Sequence, residues 1–247
     1  MPRQARRLSE SGYAHLIVRG IGRQVIFEER EDYEYYLSIL RRFSRETGVD
    51  ICAYCLMENH VHLLAHDGNH QVPLMMKKMG VSYSYYFNKK YERTGHLFQD
   101  RYMSEPIEDE TYLLAVFRYI LNNPVKAGLC DAAKYEWSSY ALYASPSTFV
   151  DTRLLQDLIG DGSRYAAFIA APNEDECLDC DAKPRVGDAQ AKKIVRECLG
   201  ASGGMALQSM DRVSRDVALL KLKERGLSVR QIERMTGISR NIVQRAR

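Results

Sequence analysis

Two histidines one residue apart, His60 and His62, stand in the apolar stretch HVHLLAH. In a strand, side chains alternate, so both imidazoles project from one face while Val61 and Leu63 pack on the other. Two neutral imidazoles on one rigid strand can hold a divalent metal. Surface histidines are the plain alternative, and His66, further along the same face, reads as solvated or as an outer partner. A second pair is Tyr119 and Asn123, spaced i, i+4, which a helix would set on one face. Of the 16 tyrosines, only Tyr54, followed at that spacing by Glu58, rivals it, and Tyr54 falls in an expected strand. A phenol nucleophile, an amide oxygen one turn away and two histidines on a nearby strand suit phosphoryl transfer. The metal would polarise a non-bridging oxygen, and the tyrosine would attack phosphorus to give a covalent intermediate.

The elements that must position these groups follow from periodicity. GYAHLIVRGIGRQVIF reads as a first strand and a turn carrying Gly20 and Gly22. Residues 31–47 have helical spacing and stop at Gly48. VDICAYCLM and HVHLLAH make a hairpin across Glu58–Asn59. Residues 71–91 are helical, GHLFQDRYMSEPI is extended, and DETYLLAVFRYILN is a helix ending before Pro124. The order β-α-β-β-α-β-α predicts an α+β chain, a ferredoxin-like βαββαβ domain plus an added helix bearing the tyrosine. One sheet face is then left free for chemistry. Trp137 anchors the closing segment.

The 247 residues, with 45% hydrophobic and 27% charged side chains and a mean hydropathy of -0.38, describe a soluble globular chain. No apolar run spans a membrane, and the basic N-terminus lacks the apolar core of a signal peptide. A cytoplasmic protein is expected. Charge is uneven: residues 1–145 balance, 146–187 hold 4 basic against 8 acidic, and 188–247 hold 13 against 6. The reading is a catalytic domain over 1–145, a loosely structured acidic connector over 146–187 with one short helix near Thr152–Ile159, and a helical DNA-binding domain over 188–247. In the last, Ser228 and Gln231 form a capping box, Gly237 marks a turn, and Ser239 can cap the next helix. That is a helix-turn-helix with Ile238 and Ile242 inward and Arg240, Asn241, Gln244 and Arg245 outward; a plain helical hairpin has the same pattern. The pairs Cys52/Cys55 and Cys177/Cys180 lie too far apart in sequence for an ordinary zinc site and read as plain thiols.

The stretches AYCLMENHVHLL, YFNKKYERTGHLFQDRY and YLLAVFRYILNNPVKAGL, followed by YEWSSY, resemble the REP-associated tyrosine transposases of the HUH single-tyrosine superfamily. The resemblance covers roughly residues 1–143. It implies Mg²⁺ or Mn²⁺ chemistry on single-stranded DNA, with His60 and His62 as metal ligands, Asn123 as the helix-borne ligand and Tyr119 as nucleophile. Many insertion-sequence relatives carry Gln where this chain has the shorter Asn123. Tyr119 would retain a 5′-phosphotyrosine and release a 3′-hydroxyl. Partners implied are single-stranded DNA and palindromic-repeat hairpins, and relatives occur as monomers or as homodimers that swap the tyrosine helix. Arg3, Arg6 and Arg7 form a basic arm. Arg19, Lys89, Lys90 and Arg101 are either backbone contacts or solvated charges, and Tyr83, Tyr85 and Tyr86 are candidates to stack on bases.

The leading expectation is therefore a DNA strand transferase. Its alternatives are a rolling-circle initiator or relaxase, and a domesticated DNA-binding regulator of palindromic repeats. No P-loop is present, so no nucleotide cofactor is expected.

Overall fold

A computed structural model describes residues 9–143, 149–160, 162–172, 175, 177–179, 188–200, 207, 210–227 and 229–246. The chain divides into two units, residues 1–183 and 184–247.

In the first unit, alternation in the apolar runs becomes a four-stranded antiparallel sheet. Its strands are β1 (Tyr13–Arg19), β2 (Asp50–Met57), β3 (His60–His66) and β4 (Met103–Ile107), in the order β2-β3-β1-β4. Pro106 is tolerated because β4 is an edge. Helix α1 (Arg30–Thr47) starts where the Asp32 carboxylate accepts from the N–H groups of Glu28 and Glu29, at 2.8 and 3.0 Å. It ends at Gly48, whose φ of 73° suits glycine. It lies beside α2 (Val72–Lys90).

Register separates the two faces of the sheet. Leu16 pairs with Leu63 and Val18 with Val61, so these four share one face. Tyr54, opposite Leu63, joins them and meets Phe149, over which Arg41 of α1 lies. The other face carries His15, Ile17, Cys55, His60 and His62. That face is not left free. Helix α3 (Glu110–Leu121) covers it, because its own apolar stripe of Leu113, Val116, Phe117 and Ile120 must be buried somewhere.

The tyrosine helix is also shorter than its sequence pattern. Asn122 adopts φ -90°, ψ 2°, ending α3, and a one-turn helix α4 (Asn123–Lys126) begins beyond it. Pro124 fits there because the first turn of a helix needs no N–H from it.

Within 146–187 the described residues form two helices rather than one, α5 (Arg153–Ile159) and α6 (Gly162–Ala170). Leu155, Tyr165 and Ile169 are buried in the first unit's core, and Tyr165 stacks on Tyr143. These two helices pack into the first unit, since those apolar side chains decide their placement despite the acidic composition around them. Trp137 stacks on Tyr33 and its carbonyl accepts from Leu56 N–H, tying the closing segment to β2.

The second unit has its own core, centred on Ile194, Leu219, Leu222, Ile232 and Val243. Its helices are α7 (Asp188–Leu199), α8 (Arg212–Glu224), α9 (Val229–Thr236) and α10 (Arg240–Arg245). Asp211 caps α8 by accepting from Val213 and Ser214 N–H. Gly237, at φ 71°, turns the chain between α9 and α10. Ser239 stands at the N-cap of α10, but its side chain makes no cap bond; its carbonyl takes the Ile242 and Val243 N–H groups instead. Val243 is the fully buried residue of α10, with Ile242 half-buried. No helix among the described residues is long and apolar enough to cross a membrane.

Candidate active site

Position begins with the turn between β2 and β3. The Glu58 carbonyl accepts from Ile26 and Phe27 N–H, and the Asn59 carbonyl from Gly20 N–H. Gly20 is extended, and a Cβ on it would collide with the Gln24 carbonyl oxygen, so only glycine lets this loop clamp the turn. The Asn59 side chain is wholly buried, and its Oδ1 lies 2.7 Å from His60 Nδ1.

His60 and His62 do share a face, with ring centroids 5.0 Å apart. The Tyr119 ring lies 5.6 Å from that of His62. Asn123 reaches the same place by a different route from simple helical spacing. Because the helix breaks at Asn122, its amide turns back and donates to the Tyr119 carbonyl at 3.0 Å. The Asn123 side chain also lies beside His60, where it works to favour the charged imidazole against burial. All four side chains are buried, Tyr119 being 3% exposed and His62 fully enclosed. The Lys126 ammonium sits 4.0 Å from the centre of the Tyr119 ring, where a cation favours the phenolate form.

Sequence reasoning missed His15. It lies on β1 on the histidine face, fully buried, with Nε2 2.9 Å from His62 Nδ1. The β1–β3 register puts it there, since Ile17 pairs with His62 and a residue two back shares that face. In the sequence it is a lone histidine in an apolar strand, with no signal of that register. Burial pushes His15 and His60 down to about 4, despite the opposing field of Asp179, and burial together with its neighbouring histidines holds His62 well below its ordinary value. These imidazoles are therefore neutral, the form that ligates metals. His62 Nε2 is buried without a hydrogen-bond partner.

That orphaned nitrogen is what a metal would satisfy. Two neutral histidines and an amide oxygen make a chemically suitable donor set for Mg²⁺ or Mn²⁺. Among the described residues, no group of three or more His, Cys, Asp or Glu is assembled to hold a metal, so the set depends on Asn123. Cys52 and Cys55 are buried on β2 with thiols pushed up by that burial; Cys180 lies outside the described residues.

Arg118 of α3 makes two bonds to Asp175, at 2.7 and 2.8 Å, and Leu178 N–H donates to Glu105.

The candidate DNA contacts divide. Arg19 stands across from His60 in the register, its guanidinium held by Gln99. Lys89 and Arg101 are exposed. Lys90 is instead enclosed by Glu29, Glu31 and Asp32, at 2.9 to 3.0 Å, so its charge is already balanced inside the protein. Tyr83 is buried and donates to the Ile26 carbonyl, and Tyr86 stacks on Tyr35 while donating to Asp32. Neither is open to a base, whereas Tyr85 is 70% exposed. His66 rests against Tyr13 near Asp50, away from the metal set. In the second unit, Arg240 is paired with Glu233, while Gln244 and Arg245 are exposed. Arg3, Arg6 and Arg7, Ser228 and the Asn241 side chain lie outside the described residues.

Residues 9–123 match the family model described as "Transposase IS200 like". One similar solved structure is a REP-associated tyrosine transposase bound to a REP hairpin: 16% identity, TM-score 0.49, 58% of this chain and 85% of that one. Another is a putative transposase from Deinococcus radiodurans R1: 21% identity, TM-score 0.34, 49% of this chain and 97% of that one. No curated protein matches the chain.

Proposed function

We propose that the chain, whose residues 9–123 match the family model described as "Transposase IS200 like", is a transposase that cleaves and rejoins single-stranded DNA through Tyr119. The observation that carries the reading is one buried cluster of Tyr119, His60, His62 and Asn123, drawn from β3 and the α3–α4 break. Tyr119 Oη attacks phosphorus, the bond to the leaving 3′-oxygen breaks, and the 5′-phosphate stays on the tyrosine while a 3′-hydroxyl departs. Attack by an incoming 3′-hydroxyl reverses the step without an external energy source. Lys126 supports the phenolate, and Arg19 is placed to meet a phosphate beside His60. His60, His62 and the Asn123 oxygen would hold a divalent cation, Mg²⁺ or Mn²⁺, which when bound supplies Lewis-acid polarisation of a non-bridging phosphate oxygen.

The finer assignments belong to the same reading. The order β2-β3-β1-β4, with α1 beside α2, supports a ferredoxin-like catalytic domain. The α9–turn–α10 pair supports a helix-turn-helix tail with Gln244 and Arg245 facing DNA. The motif stretches in AYCLMENHVHLL through YEWSSY support palindromic-repeat hairpins as target, and the protein would meet them in the cytoplasm.

The test incubates full-length protein with a labelled hairpin bearing a single-stranded flank, with and without Mn²⁺. A metal-dependent covalent adduct mapped to Tyr119 is expected. Hairpin binding without any adduct would favour the second reading, a regulator that holds hairpins, to which the burial of Tyr119 lends weight.

A further inference from the structure

His15 belongs to no assigned role, yet it makes a direct ring-to-ring hydrogen bond to His62 at 2.9 Å. We infer that His15 is a positioning residue that fixes the tautomer and orientation of His62, so that His62 Nε2 presents a bare lone pair to a divalent cation. The inference rests on the metal reading above and concerns what sets it up.

The argument is one of counting protons. A neutral imidazole carries one N–H, on either nitrogen. The 2.9 Å contact between His15 Nε2 and His62 Nδ1 needs one proton between them. If His15 supplies it, the proton of His62 sits on Nε2, and that nitrogen cannot ligate. If His62 supplies it, Nε2 is bare and the proton of His15 sits on Nδ1. Both outer nitrogens, His15 Nδ1 and His62 Nε2, are buried without hydrogen-bond partners. A cation at His62 Nε2 therefore selects the second arrangement and meets that nitrogen at the same time, leaving the His15 Nδ1–H as the one unmet donor of the pair. Geometry holds the pair in place: the rings stack at 5.2 Å with 28° between planes, and each sits on a paired strand, His15 opposite Leu64 and His62 opposite Ile17. Neither ring can turn without breaking that bond inside a closed core. Outer partners of metal-bound histidines commonly work this way, and losing one costs roughly 10–100-fold in metal affinity.

Two variants of full-length protein separate the possibilities. His15→Leu removes the acceptor, and His15→Gln keeps a side-chain oxygen able to accept from His62 Nδ1–H. Mn²⁺ affinity is read by electron paramagnetic resonance, and the His62 tautomer by ¹⁵N chemical shifts with and without Mg²⁺. Expected are a roughly 10–100-fold weaker Mn²⁺ site in His15→Leu, recovery to within a few-fold in His15→Gln, and an Nδ1–H tautomer in Mg²⁺-loaded wild type. Unchanged affinity in His15→Leu would overturn the inference while leaving the metal reading intact. Wild type that binds no Mn²⁺, like His62→Ala, would overturn both. Should His15→Leu fail to fold, the wild-type spectrum still decides, because an Nε2–H tautomer under Mg²⁺ contradicts the assignment.

Discussion

The two faces of the sheet bury polar groups in opposite ways. Under α1, the Asp32 carboxylate is fully enclosed and fully met: it accepts from Tyr86, Tyr91, Lys90 and the N–H groups of Glu28 and Glu29. Under α3, His15 and His62 hold one bond between them and leave one nitrogen each unmet, and Asn59 Nδ2 is unmet as well. A met buried network specifies a fold, whereas unmet nitrogens cost stability and persist where something else is to occupy them. The first face builds, and the second works.

The contrast can be broken at either face. The largest effect should come from Tyr119→Phe, which removes one oxygen from the α3 side. Cleavage and covalent adduct should fall by about 10³-fold or more, with hairpin affinity within a few-fold and thermal melting unchanged. A surviving adduct would move the nucleophile elsewhere. Asp32→Ala attacks the other face: it leaves two backbone N–H groups and the Tyr86 and Tyr91 hydroxyls without their acceptor and should cost about 3 kcal/mol in urea unfolding. His60→Ala should do the reverse, weakening Mn²⁺ binding by more than about 10-fold while barely moving the melt. Equal destabilisation by both variants would erase the distinction between the faces.

Acid sharpens the same comparison. Burial works to raise the Asp32 carboxyl, but the bonds from Tyr91, Lys90 and the backbone outweigh it and hold it below its ordinary value. A carboxyl lowered in the folded state stabilises above its unfolded value, near about 3.9, and that stability is lost as pH falls through the folded value. Wild type should therefore lose stability on acidification below about pH 4 more steeply than Asp32→Asn, as read by melts across pH.

The smallest effect lies in the second unit, where met and unmet charge again differ. Arg240 is held by Glu233 and Arg245 is exposed. Arg245→Ala should flatten the log–log salt dependence of duplex binding by about 0.9, and Arg240→Ala by less, measured by fluorescence anisotropy. No change in either would make α10 a packing element.

The comparison also explains what the sequence could disclose. Alternation in HVHLLAH placed His60 and His62 on one face, and Gly48 marked the end of α1, because both signals are local. The covering of that face by α3 was not legible, since it depends on where an apolar stripe finds a partner. Asn122 ended α3 one residue before the expected ligand, and spacing cannot report a break whose cause is backbone geometry at one residue. Lys90 read as a surface cation until Glu29, Glu31 and Asp32 closed around it from another helix. His15 needed the β1–β3 register, which exists only once the strands pair. The helices within 146–187 were hidden by composition, because acidic residues dominate the count while Leu155, Tyr165 and Ile169 decide the packing.

Gly20 carries a consequence of a different kind. It touches neither His62 nor Tyr119, yet the loop it permits grips both carbonyls of the turn from which His60 departs. An error introduced there would be transmitted as a displacement of the ligand rather than as a loss of it. In a mutational survey such a position would score like an active-site residue while holding no reactive atom. The tolerance of this protein to change is thus set partly by hydrogen atoms on a residue chosen for lacking a side chain.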